Sequence, residues 1–159
     1  MTPGSDDRRV SSSPKTPLPT LDDFGDVRLV PTRWEDNDHY GHINNVVYYS
    51  FFDTAVNLWL LESTGVDIRT LPEIGVVVSS GCQFLRSLSF PDEVAVGLAV
   101  RRIGTSSVTY RLGVFKSGEQ EVRALGEFVH VYVDAGGRTT VPIPAVIRSA
   151  LEGLPLVQF

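Results

Sequence analysis

Apolar residues recur along this chain with two periods, and the change of period marks out its elements. From Val46 to Leu61 the apolar positions, among them Tyr48, Phe51, Phe52, Ala55, Val56 and Trp59, cover most of a helical wheel. Ser50, Asp53, Thr54 and Asn57 leave only a narrow polar stripe. A helix that is apolar nearly all round is buried nearly all round. Asn44 or Asn45 offers N-cap chemistry and Gly65 a C-terminal stop, so the pattern predicts a helix ending near Thr64, about 30 Å long.

Elsewhere the period is two. Val27 to Trp34 alternates as a strand, and Pro31, which has no amide N–H, places it at an edge or a bulge. Four further alternating runs follow: Val76–Ser89, Val94–Val100 with Gly104 as its stop, Val108–Val114 ending at Ser117-Gly118, and Val122–Asp134. Short turn-like breaks between them predict an antiparallel meander. Pro144 then opens a short helix, Ala145–Glu152. In a chain of 159 residues, only a curved sheet wrapped on the long helix buries it all round. The fold class read from this is α+β, with a strand edge left over for a second copy to cover. The boundaries expected are a disordered leader over residues 1–24, one domain over 25–153 and an apolar tail over 154–159. The leader is rich in Ser, Pro, Thr and Asp and has no apolar run of the kind a signal peptide needs.

Composition narrows the function classes. With 42% hydrophobic residues the chain can bury a substantial core, and its net charge of −5 argues against a nucleic-acid partner. No run approaches the roughly 18 apolar residues of a membrane span. The one cysteine, Cys82, makes no internal disulfide, which fits a cytoplasmic location.

The densest chemistry lies just before the helix, in Asp36-Asn37-Asp38-His39-Tyr40-Gly41-His42-Ile43-Asn44-Asn45. As a calcium loop it fails: Tyr40 stands at the fifth position and Val47 where a bidentate glutamate belongs. As a zinc site it is weak, because His39 and His42 lack i,i+4 spacing and no cysteine is near. No metal or other cofactor is expected. Asp and Asn also serve turns and caps, which accounts for several of these residues without any chemistry. The third reading is catalytic. A helix N-terminus presents free N–H groups to a developing oxyanion, and a neighbouring carboxylate serves as general base or nucleophile.

The string Arg33-Trp34-Glu35-Asp36-Asn37-Asp38-His39-Tyr40-Gly41-His42-Ile43-Asn44-Asn45-Val46-Val47-Tyr48-Tyr49 resembles the opening motif of hotdog-fold acyl-CoA thioesterases of the hydroxybenzoyl-CoA and long-chain acyl-CoA type. The resemblance implies a hotdog fold and an acyl-CoA substrate split into acid and CoA. It places Asp38 on the catalytic carboxylate and the backbone N–H of Asn45 on the oxyanion donor. His42 matches a motif position, for which loop hydrogen bonding is favoured over proton transfer, and Asp36 becomes a loop-structuring neighbour. The resemblance also implies a homodimer or homotetramer with the pocket shared across the dimer.

Other substrate contacts are expected at Tyr48, Phe52 and Ser80 for the acyl group and at Arg86, Arg101 and Arg102 for coenzyme phosphates. The turn Gly104-Thr105-Ser106-Ser107 is not basic, as it is in the hydroxybenzoyl branch, which leaves CoA and acyl-carrier protein both open. Direct attack by Asp38 and activation of water are also both open. A non-catalytic acyl-CoA binding module is the alternative from another class. A hotdog dehydratase would carry a different Asp/His arrangement.

Overall fold

The computed structural model describes residues 16–136 and 139–159. Strand β1 (Asp26–Pro31) leads through a loop into helix α1 (Asn45–Thr64), then β2 (Glu73–Phe84), β3 (Glu93–Ile103), β4 (Ser107–Lys116), β5 (Val122–Asp134) and helix α2 (Ala145–Leu151). The strands form one antiparallel sheet in the order β1-β3-β4-β5-β2. This is the hotdog architecture expected from the sequence, with the sheet curved around α1.

The helix has the predicted ends. Asn44 Oδ1 accepts the Val46 N–H at 3.3 Å, and Gly65 ends the last turn in the left-handed region at φ 67°. Phe52, Ala55 and Val56 are fully buried against the sheet. Burial of a side chain such as Phe52 stabilises the fold by about 2–3 kcal/mol. Its ring lies on Gly126 of β5, where a Cβ would collide with it. Val46, Leu58 and Leu61, off that buried side, are 62%, 42% and 36% exposed, so the helix is buried on one side and not nearly all round as its apolar pattern predicts, because the sheet and α2 reach only that side.

Three features of the strands also depart from the sequence reading. The meander holds for β3, β4 and β5, but β2 pairs with β5 rather than β3. The connection over residues 85–92 does not close a hairpin. It crosses the sheet beside the start of α1, where the Ile43 N–H donates to Leu88 O at 2.8 Å. β2 stops at Phe84, short of Ser89, because the N–H groups of Leu85 and Arg86 both turn to Arg123 O, at 2.8 and 3.0 Å. β1 stops at Pro31, short of Trp34, as Trp34–Asp36 wind into a 3-10 turn. β1 does lie at a sheet edge.

Part of the outer face of the sheet is also covered. Phe24 fills the space above Gly97 and Gly113 and meets Phe115 edge-on at 5.7 Å. The last residues return along β3, with Val100 N–H donating to Pro155 O at 3.0 Å and Val157 N–H to Val100 O at 2.9 Å. Phe159 then packs on Phe24 at 5.6 Å. Burial on both faces explains why every residue from Val94 to Val100 is buried. Of the leader expected over 1–24, residues 1–15 lie outside the described residues. Leu21–Asp23 form a 3-10 turn that delivers Phe24 to this outer cluster.

Gly126→Ala is expected to lose about 1–3 kcal/mol in urea denaturation, because the Phe52 ring must be displaced. Gly81→Ala, on β2 with no atom within 4 Å of the added Cβ, is the neutral control.

Candidate active site

The loop before α1 divides its polar residues between scaffold and site. Asp36 is 2% exposed and fully engaged: it accepts from Arg33 N at 2.7 Å, Arg33 Nη2 at 2.8 Å and Arg33 Nε at 3.1 Å. Its backbone oxygen takes the Asn44 N–H at 2.8 Å, which fixes the helix start to the loop. Asn37 Oδ1 accepts the Phe90 N–H at 3.0 Å and ties the loop to the 85–92 connection. Gly41, at φ 82°, closes the turn by donating to Asp38 O at 3.1 Å. Any side chain at this φ would be strained.

Asp38 heads that turn. Its N–H donates to His42 O at 2.7 Å. Its Oδ1 accepts the Tyr40 N–H at 2.8 Å and the His42 N–H at 3.3 Å. Among the described residues nothing bonds to Oδ2, so one carboxylate oxygen is anchored and the other is available. At the helix start, Asn44 takes both the Val46 and Val47 N–H groups, through Oδ1 and O, and leaves the Asn45 N–H without a protein acceptor among the described residues. Asn45 also stands at the positive end of the helix dipole.

Asp38 and Asn45 line one cleft of about 310 Å³ together with His42, Ile43, Tyr48 and the stretch Phe84-Leu85-Arg86-Ser87. Tyr48 meets Phe84 edge-on at 5.1 Å, and burial pushes its phenol up to about 12, so it stays neutral. Ile43, Tyr48, Phe84 and Leu85 give the cleft an apolar wall opposite one anion and one free N–H. A carboxylate and an amide donor flanking such a space can hydrolyse an acyl derivative without a metal. Among the described residues no three His, Cys, Asp or Glu side chains converge to hold a metal ion.

The expected contacts divide. Arg86 lines the cleft and pairs with Glu121 at 2.8 Å, both well exposed. Arg101 and Arg102 lie away from it: Arg101 pairs with Glu127 at 2.8 Å, and both arginines border a separate depression with Thr109 and Gln158. Phe52 is fully buried on Gly126, and Ser80 is exposed on β2 outside the cleft. Phe84, Leu85 and Ser87 went unrecognised in the sequence, since only the crossing of residues 85–92 brings them to the helix start.

A second cavity, of about 170 Å³, opens under the far half of α1 between Asn57, Leu60, Ile74, His130 and Tyr132. The sequence reading treats His130 as structural. It is 5% exposed and its Nε2 has no hydrogen-bond partner among the described residues. Burial pushes its imidazole down to about 4, against a smaller opposing pull from Asp53.

The chain matches the family model described as "Thioesterase-like superfamily" over residues 32–151. Its structure is similar to that of the PA5185 protein of Pseudomonas aeruginosa strain PAO1, at 46% identity and TM-score 0.84, over 88% of this chain and 98% of that one. It is also similar to the gentisyl-coenzyme A thioesterase BH1999, at 26% identity and TM-score 0.70, over 79% and 99%. The uncharacterised protein YsmA of Bacillus subtilis (strain 168) is 27% identical over 97 residues, which is 60% of this chain and 65% of YsmA, just under two thirds of that relative's length.

His130 gives a pH signature of its own. Its folded-state pKa lies below the unfolded value near 6.5, so as pH falls the unfolded chain binds the proton first. The contribution is therefore fully present above about pH 6.5 and is lost as pH falls toward 4. Urea denaturation of the wild type should lose about 2 kcal/mol more between pH 6.5 and 4.5 than His130→Gln does. Parallel profiles would contradict this.

Proposed function

Because the chain belongs to the thioesterase-like superfamily and has the hotdog fold, we propose that it is a thioester hydrolase that splits acyl-CoA to carboxylic acid and CoA in the cleft between Asp38 and Asn45. One observation carries the reading: an available carboxylate oxygen and an unpartnered helix N–H border the same apolar-walled space. The cleft is open to solvent, so water is the nucleophile at hand. Asp38 Oδ2 takes a proton from water as the water oxygen adds to the thioester carbonyl carbon. The carbonyl oxygen becomes an oxyanion and accepts the Asn45 N–H. Collapse of the tetrahedral intermediate breaks the C–S bond, and the protonated Asp38 returns its proton to the departing sulfur. The two amide N–H groups on Oδ1 hold the carboxylate in place throughout. Arg86 at the rim is the group suited to a coenzyme phosphate, once released from its exposed partner Glu121. The lone cysteine, Cys82, fits a cytoplasmic setting for this reaction.

The active form is a homodimer. β2 is one of the two edges of the sheet, β1 being the other, and its Val77 and Val78 are 47% and 57% exposed. An apolar, unpaired edge strand is a template for a second copy. Antiparallel pairing of β2 with its twofold mate joins the two sheets and brings the cleft walls at Phe84 against the partner chain.

Two results test this reading. Asp38→Asn should lower kcat by about 10²-fold or more with acyl-CoA substrates, followed by free thiol. Equal rates for variant and wild type would remove Asp38 from the chemistry. In water labelled with 18O, a single turnover should leave label in the product acid and none in Asp38. For the dimer, Val78→Lys should shift the sedimentation coefficient to that of a monomer.

A further inference from the structure

The two walls of the candidate cleft come from distant parts of the chain. One is the loop that carries Asp38, and the other is the stretch Phe84-Leu85-Arg86-Ser87. The second wall has anchors of its own. The N–H groups of Leu85 and Arg86 reach Arg123 O on β5. Beyond Ser87, the Asp92 carboxylate accepts the Ser89 N–H at 3.2 Å and pairs with the Lys116 ammonium at 2.8 Å. The Asp92 carbonyl takes the Thr32 hydroxyl at 2.5 Å. None of these bonds touches the turn from Asp38 to His42, so they leave the gap between the walls unset.

Two hydrogen bonds join the walls. The Ile43 N–H donates to Leu88 O at 2.8 Å on the helix side of the turn. On the other side Asn37 Oδ1 accepts the Phe90 N–H at 3.0 Å. Among the described residues this is the one side-chain hydrogen bond between the loop over 33–44 and the connection over 85–92. Asn37 and Ile43 also form a bridge with each other across the base of the turn that Asp38 heads. Trp34, three residues before Asn37, meets Phe90 edge-on at 5.9 Å. Asn37 itself is half-buried and does not line the cleft. Its Cα lies about 3.8 Å from that of Asp38, so a shift of Asn37 carries Asp38 with it. A catalytic group misplaced by about 1 Å loses about 10²-fold in rate.

Resting on the thioesterase reading, we propose that Asn37 is a positioning residue: its hydrogen bond to the Phe90 N–H holds the Asp38 carboxylate at working distance from a thioester that lies against the Phe84–Ser87 wall. Asn37 acts through Asp38 and touches no reacting atom. An aspartate at this position can accept the same N–H, whereas a leucine, of similar size, cannot.

The test compares wild type, Asn37→Leu, Asn37→Asp, Asp38→Asn and the double variant of Asn37→Leu with Asp38→Asn, by free-thiol release from an acyl-CoA that wild type hydrolyses. Asn37→Leu should lower kcat by about tenfold to 10²-fold and change KM by less than about threefold, since the residue lies outside the cleft lining. Asn37→Asp should recover most of that kcat on the pH plateau where Asp38 is ionised. In the Asp38→Asn background the Asn37→Leu penalty should vanish, because no base is left to misplace. A loss of folding would instead show as the same penalty in both backgrounds. A full penalty in the Asp38→Asn background overturns the proposal, as does Asn37→Asp as slow as Asn37→Leu, or Asn37→Leu as fast as wild type. Each of those results leaves the thioesterase reading standing. If Asp38→Asn alone runs at the wild-type rate, or wild type hydrolyses no acyl-CoA, that reading falls and the role of Asn37 falls with it.

Discussion

A helix whose buried side chains span about half of its circumference needs more than a flat surface to cover them, and α1 imposes that constraint on everything else. One flat sheet covers one stripe of a helix. Phe51, Phe52, Ala55, Val56, Trp59 and Leu60 all need cover, so the sheet must curve and α2 must close the gap that it leaves. The contact is tight enough that Phe52 rests on a glycine backbone at Gly126. The same burial fixes the direction of the helix axis, and with it the place where its free N–H groups emerge. The candidate cleft is therefore a consequence of the core: the loop sits where the wrapped helix begins.

At that helix start the chain separates two jobs that one residue type could do. Asp36 and Asp38 are both aspartates two positions apart in a turn-rich loop. Asp36 spends its carboxylate on the Arg33 guanidinium and amide and its carbonyl on Asn44, and is buried as a result. Asp38 gives up one oxygen to the Tyr40 and His42 amides and keeps the other. Asn44 makes the same kind of division among donors, capping Val46 and Val47 and leaving Asn45 open. The site consists of what the scaffold leaves unsatisfied.

Much of this was legible in the sequence, for identifiable reasons. The helix and its ends are written in a local pattern, an Asn cap, a run of apolar residues and a Gly stop, and local patterns survive folding. The assignment of Asp36 to the loop agrees with its contacts. Strand pairing was legible only where turns are short: β3, β4 and β5 are joined by tight turns and form hairpins, but the β2–β3 connection is long, and nothing local says that it crosses the sheet. The β2–β5 pairing places Phe84, and the crossing that follows carries Leu85 and Arg86 to the helix start, so the apolar wall of the cleft was hidden along with them. Arg101 and Arg102 illustrate the converse. Charge chemistry nominated them, but position along β3 put them with Glu127 and Gln158, away from Asp38.

His130 shows how a pairing left unread hides a polar group. On an alternating strand it reads as one more inward position between Phe128 and Tyr132, a histidine that the core tolerates. Only the pairing of β2 with β5 sets Val77 opposite it and opens a cavity beside Ile74 and Gly75. A core that merely tolerates an imidazole normally satisfies it, since an unmet buried polar atom costs about 1–3 kcal/mol. Here Nε2 has no partner among the described residues, in a cavity whose remaining walls are mostly apolar. Burial of this group with its hydrogen bond unmade is a standing cost to the isolated protomer. A polar group that enters the cavity offsets that cost, and β2, one of the two edges of the sheet, borders the cavity.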